Sequence, residues 1–190
     1  NNIACERDQA MTVIMRVPAT PGYEEHPGVI LQGHMDMVCE KNREVQHDFQ
    51  KDPIQAYVDG DYLKAKGTTL GGDDGIGVAM ALATLVSPTL KHPALECLFT
   101  VDEETGLTGA MRLQDGCLNG KKLITLDSED DAHVFIGCAG GIDTLAKMHY
   151  EPVECPQGMF AAKIRVAGLQ GGHSGDDINK RRGNSNKIMV

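Results

Sequence analysis

Gly28-Val29-Ile30-Leu31-Gln32-Gly33-His34-Met35-Asp36 decides the fold: an apolar run of strand length that turns polar at its end. A short apolar run bounded by glycine reads as a strand buried on both faces. The same pattern recurs twice. Residues 95–101 run into Asp102-Glu103-Glu104-Thr105-Gly106, and residues 122–126 run into Asp127-Ser128-Glu129-Asp130. Between them, 61–66 alternates like a half-buried strand ending at Gly67. Residues 76–86 place Ala, Met, Leu and Val at helical spacing until Ser87-Pro88 stops them. Strands alternating with helices predict an α/β domain, and the ends of such strands are where these sheets hold ligands. After Gly137-Cys138-Ala139-Gly140-Gly141 the texture changes to longer strand-like runs, 142–150 and 159–166, with a helix expected to start near Asp176 or Asp177.

Composition narrows the classes. A chain of 190 residues with 41% hydrophobic residues can fill a core. A formal charge of −9 argues against nucleic-acid binding, which needs clustered Lys and Arg to displace counterions. No stretch approaches the length of a membrane span and no signal core follows Asn1, so no membrane partner and a cytoplasmic location are expected. The six cysteines form no C-x-x-C pair and read as reduced thiols. The chain starts without Met and stops at Lys187-Ile188-Met189-Val190 within a helical pattern, the expectation for a piece of a longer protein.

Four polar clusters could carry chemistry. His34 and Asp36 are two apart and project to one side of an extended segment, so the imidazole could bind a metal while Asp36 fixes its tautomer; an exposed His beside an Asp is the plainer reading. Gly71-Gly72-Asp73-Asp74-Gly75-Ile76-Gly77 joins a strand to a helix. Two central carboxylates would repel a phosphate, leaving either a rigidly held metal-binding Asp or an ordinary Asp-Gly turn. Of the adjacent Glu103 and Glu104, one could ligate a metal while the other shuttles a proton; a solvated acidic strand end is the alternative. Asp127 closes a strand ahead of an acidic loop. The coincidence of these sites at successive strand ends, all with hard oxygen or imidazole ligands, favours a divalent metal over four separate accidents.

The motifs Gly33-His34-Met35-Asp36, Gly71-Gly72-Asp73-Asp74-Gly75, Asp102-Glu103-Glu104-Thr105-Gly106, Leu126-Asp127-Ser128-Glu129 and Gly171-Gly172-His173-Ser174-Gly175 resemble, in order and spacing, the M20 metallopeptidases. The wording of residues 30–41 and 137–141 is most similar to the bacterial aminoacyl-histidine dipeptidases, the peptidase D group. The resemblance implies a zinc-exopeptidase-like catalytic domain, with a central mostly parallel sheet flanked by helices, over 1–157. It also implies the start of an α+β lid domain over 158–190. It assigns His34, Asp73 and Asp127 to one metal, and Asp73 and Glu104 to a second, with Asp73 bridging. Glu103 is then the general acid/base, Asp36 the orienting partner of His34, and His173 the residue that steadies the oxyanion. Arg182 and Asn184 match family positions without an assigned role.

The implied reaction is hydrolysis of an Xaa-His dipeptide by a water activated between two divalent metal ions about 3.5–4 Å apart. Zn2+ is the first choice, with Mn2+ or Co2+ as alternatives. The implied partners are a small peptide substrate and a second copy in a homodimer of the full-length protein. The family's second metal also takes a His from the C-terminal part of the catalytic domain. His133, His149 and His173 all precede that position, so the second site is expected to be incomplete here and the 190-residue chain to have little or no activity. An M20-type deacylase, or a non-catalytic metal-binding module, are the competing expectations.

Overall fold

The computed structural model describes residues 3–128, 130, 132–138, 140–142, 144–172 and 177–190. The chain divides into two compact units, Asn1–Cys138 and Ala139–Val190. The first contains, in order, β1 (Ala4–Arg7), β2 (Val13–Val17), β3 (Val29–His34), β4 (Ala56–Asp59), β5 (Tyr62–Ala65), α1 (Gly72–Val86), β6 (Leu95–Thr100), α2 (Glu103–Gly106), α3 (Thr108–Met111) and β7 (Lys122–Thr125).

Five of these strands form a mixed sheet in the order β1-β2-β6-β3-β7, and β4 and β5 make a separate hairpin. β3 is central to the parallel part: Val29 to His34 pair with Leu95 to Thr100 on one side, and Val29 to Gln32 with Lys122 to Thr125 on the other. The antiparallel part, β1 on β2 and β2 on β6, extends the sheet away from the site. From β3 the chain therefore moves to one side to build β6, then crosses to the other to build β7. The connections part at the carboxyl end of β3, and such a switch point leaves a crevice for ligands.

Side chains alternate across each strand, so the sheet feeds two apolar layers. Leu31, Cys97 and Phe99 pack with Ala81 and Leu85 of α1, while Ile30, Ile14 and Leu98 pack on the opposite side with Leu113, Cys117 and Leu118. α1 buries a stripe spaced by four, Gly77, Ala81 and Leu85, and leaves Ile76 and Met80 exposed. Every residue of β6 is buried, which a mainly apolar run allows; its one charged residue is Glu96. Its carboxylate is fully engaged: it accepts from Arg16 Nε at 3.0 Å and from the amides of Asn119 at 2.7 Å and Gly120 at 2.6 Å. Arg16 also donates to the carbonyl of Cys117 at 2.6 Å, so the loop that launches β7 is tied to β2 and β6. Burial without loss of partners is the condition under which an ion pair is tolerated inside a fold.

The strands expected over 28–33, 61–66, 95–101 and 122–126 and the helix over 76–86 all form, the helix beginning earlier, at Gly72. The α/β layering is as expected. The short elements β1, β2, β4, α2 and α3 carried no strong periodic signal and are set by their neighbours. All six cysteines are free thiols, and burial pushes that of Cys97 up to about 11, as suits a core residue.

The second unit departs from expectation. Neither 142–150 nor 159–166 forms a strand among the described residues, and Ile142, Leu145, Met148, Tyr150, Phe160 and Ile164 are exposed. Apolar content alone does not make a strand; the backbone needs a ladder partner, and none pairs with these runs among the described residues. Regular structure there is a 3-10 turn at Ile178–Lys180, just after Asp177, and α4 (Ser185–Met189). The unit boundary at 138/139 lies ahead of the 157/158 division read from sequence, and Asp176 lies outside the described residues.

Candidate metal centre

The site gathers at the carboxyl ends of the three parallel strands. His34, the last residue of β3, is 1% exposed, because it lies under the loops that leave β6 and β7 and under the start of α1. Its Nε2 lies 2.9 Å from Asp73 Oδ1 and 3.7 Å from Asp127 Oδ1. Its Nδ1 lies 3.0 Å from the main-chain carbonyl of Asp36 and 3.5 Å from that residue's Oδ1. A carbonyl only accepts, so Nδ1 carries a proton; Nε2 faces the carboxylates, and once it gives up the proton it shares with Asp73 it is the nitrogen a metal would take.

Asp36 differs in detail from the sequence expectation. The nearer group to the imidazole is its main-chain carbonyl, at 3.0 Å against 3.5 Å for its carboxylate. Its carboxylate also accepts the amides of Glu103 and Glu104, each at 3.1 Å. One residue thereby ties the end of β3 to the end of β6. Glu103 and Glu104 open the short helix α2 and do not continue the strand as the sequence suggested. Successive helical residues are turned about 100° apart, so the two carboxylates still diverge.

Asp73 does not come from a strand end of the main sheet. It sits at the start of α1, after the β4-β5 hairpin, with Asp73 and Asp74 outside helical φ/ψ and joined by a cis peptide bond. Asp73 points outward, its side chain 55% exposed, whereas Asp74 is 2% exposed. Asp127 follows β7 and is half-buried.

Carboxylates crowd this end of the sheet, and their protonation reflects it. Burial, then the charges of Asp74 and Asp73, push the Asp127 carboxyl up to about 7. Burial and the neighbouring Asp73 and Glu103 raise Glu104. Burial opposes a charge on His34, but its hydrogen bond to Asp73 and the surrounding carboxylates outweigh that and raise it. Mutual repulsion of this kind is what a bound cation relieves. Ligand atoms of His34, Asp73 and Asp127 lie within 4.8 Å of one another, as do those of His34, Glu103 and Glu104. Nitrogen and hard oxygen donors in such groups fit a divalent metal.

Of the positions singled out from sequence, His34, Asp36, Asp73, Glu103, Glu104 and Asp127 are thus brought together, and His173 lies outside the described residues. In the second unit, Arg182 pairs with Asp177 at 2.9 Å, and Asn184 accepts from the Lys187 amide at 3.1 Å as the cap of α4. Asp74 is the residue that reading motifs passed over. The available signal was glycine at 33 and at 77, where a Cβ would lie 2.4 Å and 2.2 Å from the two Asp74 carboxylate oxygens.

Over 185 residues the chain is 48% identical to the cytosol non-specific dipeptidase of Escherichia coli (strain K12), a match covering 97% of this chain and 38% of that protein. It superposes on the crystal structure of aminoacylhistidine dipeptidase from Vibrio alginolyticus with a TM-score of 0.71 and 43% identity, covering 98% of this chain and 38% of that one. Aminopeptidase PepT from Bacillus cereus is more distant, at a TM-score of 0.53 and 25% identity over 67% of this chain and 34% of that one. The chain therefore spans 38% of the length of the E. coli relative. A strand-end cluster of one imidazole and several carboxylates and a family match over residues 30–175 lead to one conclusion: the chain belongs to peptidase family M20/M25/M40.

Proposed function

We propose that the protein to which this chain belongs hydrolyses dipeptides of the Xaa-His type, using two divalent cations, Zn2+ first and Mn2+ or Co2+ as alternatives. The observation that carries the reading is the meeting of His34, Asp73 and Asp127 beside Glu103 and Glu104 at the switch point of the sheet. His34, Asp73 and Asp127 would hold one ion, and Asp73 and Glu104 would share the second. The ions would polarise the scissile carbonyl and lower the pKa of the attacking water.

The chain's own residues do the remaining work. Glu103 accepts the water proton as the oxygen attacks the carbonyl carbon, then delivers that proton to the leaving amine as the C–N bond breaks. Asp36 holds Glu103 and Glu104 through their amides, and its carbonyl holds the His34 ring. His173 is the proposed donor to the tetrahedral oxyanion, on the strength of its motif. A lid beginning at 158, a homodimer of the full-length protein and a cytoplasmic location complete the proposal. The last draws on the name of the E. coli relative and on six free thiols.

The test is an assay of the full-length protein against Xaa-His dipeptides and N-acyl amino acids with Zn2+, Mn2+ or Co2+, beside the 190-residue chain. Dipeptide cleavage by the full-length protein and little or none by the chain is expected. Cleavage of N-acyl amino acids alone would transfer the assignment to a deacylase, and metal binding without cleavage of either set to a binding module. Robust turnover by the chain itself would contradict the incomplete second site.

A further inference from the structure

The most deeply buried carboxylate near the centre is not one of its proposed ligands. Asp74 is 2% exposed, and its two oxygens face two different elements. Oδ2 accepts the main-chain amide of His34 at 3.1 Å, at the end of β3. Oδ1 accepts the amide of Gly77 at 3.2 Å. Because Asp73 and Asp74 lie outside helical φ/ψ, the regular turns of α1 begin after them, and the Gly77 bond is an N-cap bond from Asp74 to the third helical residue. One carboxylate therefore caps the helix that follows Asp73 and at the same time holds the strand end that carries His34.

Space for it exists only because both contacted residues are glycine. A Cβ on Gly33 would sit 2.4 Å from Oδ2, and one on Gly77 would sit 2.2 Å from Oδ1. Gly33, Asp74 and Gly77 thus form one interlocked unit. Its parts are separated in sequence, and it touches the neighbours of two ligands without using a ligand atom.

We infer that Asp74 is a positioning residue that sets the separation of His34 and Asp73 before metal arrives, through paired bonds to the His34 and Gly77 amides. The inference rests on the metal-site reading above. Its chemistry is specific to a carboxylate. Two amides point at the side chain, so two acceptor oxygens are needed. Asparagine supplies one and turns an NH2 toward the other amide.

The test uses the full-length protein. Zn2+ affinity is measured by competition with a chromogenic chelator for wild type, Asp74→Asn and Gly77→Ala, together with the unfolding midpoint of each metal-free form and the dependence of kcat on free Zn2+. Both variants are expected to bind Zn2+ about 10- to 100-fold more weakly, the range for groups that orient metal ligands. Activity is expected to recover at saturating Zn2+, a rescue that a merely destabilised protein would not show. Wild-type affinity in either variant, or weakened binding without recovery, overturns the inference. Hydrogen exchange of residues 33–37 in the metal-free wild type needs no variant. Slow exchange of the His34 amide is expected, and exchange as fast as that of surface loops would overturn preorganisation even if the variants failed to fold. A wild-type protein that binds no divalent metal would instead sink the metal-site reading itself.

Discussion

The two ligand groups at the end of the sheet share His34 and differ in almost everything else. In the first, Asp73 and Asp127 approach Nε2 from the start of α1 and the end of β7, at 2.9 Å and 3.7 Å, and burial with the neighbouring charges pushes the Asp127 carboxyl up to about 7. In the second, Glu103 and Glu104 stand side by side on a four-residue helix, pinned by their amides to Asp36. Anchoring through the backbone leaves the carboxylate to the chemistry, which suits Glu103, the group proposed to move a proton. Convergence of three ligands from three elements suits a group that must hold an ion. The proposed division between binding and chemistry therefore runs through the second group, with Glu103 moving the proton and Glu104 holding the second ion.

The largest effect that would break this division is on turnover. Glu103→Gln in the full-length protein is expected to lower kcat by about 10²- to 10⁴-fold, the usual worth of a general acid/base, with Zn2+ affinity within a few-fold of wild type. A matching loss of affinity in the same titration would show that Glu103 is itself a ligand. His34→Ala removes the nitrogen common to both groups, and a loss of Zn2+ affinity above the roughly 100-fold upper end for groups that only orient ligands is expected by calorimetry. Asp127→Asn touches only the first group. Its affinity loss should be smaller, about tenfold, with retention of whatever binding Glu104 supports.

The smallest effect sharpens the comparison through pH. With the Asp127 carboxyl near 7 in the metal-free fold, metal must displace its proton. Apparent affinity should therefore rise with pH up to about 7 and level off above it, losing at most about tenfold per pH unit below. Stability runs the other way. A proton held more tightly in the folded chain, at about 7 against an ordinary 3.8, favours the metal-free fold. That contribution is complete below the ordinary value and is lost as pH rises through about 7. Asp127→Asn, which mimics the protonated form, should thus raise the metal-free unfolding midpoint relative to wild type at pH 8 and not at pH 4; equal shifts at both would remove Asp127 from the crowded group.

Much of the first unit was legible because β3 and β6 lie largely buried and so are written as mainly apolar runs, and β7, though exposed, repeats the pattern in Leu123 and Ile124. Their ends turn abruptly to His, Glu and Asp. β1 and β2 were not legible: the side chains of β1 are exposed, and what makes it a strand is pairing with residues 13–16. The runs at 142–150 and 159–166 show the converse. Their composition suits strands, but composition names no ladder partner.

Within the site, residue types and order by themselves offered His34, one of Asp73 and Asp74, a ligand and a base between Glu103 and Glu104, and Asp127, because hard donors gathered at strand ends favour a metal. The choice of Asp73, of Glu104 as ligand and of Glu103 as base came from the resemblance to the M20 metallopeptidases. What only the tertiary structure decided was how they are held. Asp36 meets the imidazole with its carbonyl at 3.0 Å and its carboxylate at 3.5 Å, that carboxylate also fastens α2, and Asp74 joins the end of β3 to the start of α1. The physical reason is that a ligand's identity is a local property of a side chain. Its geometry depends on backbone amides and carbonyls, which every residue carries and no motif records.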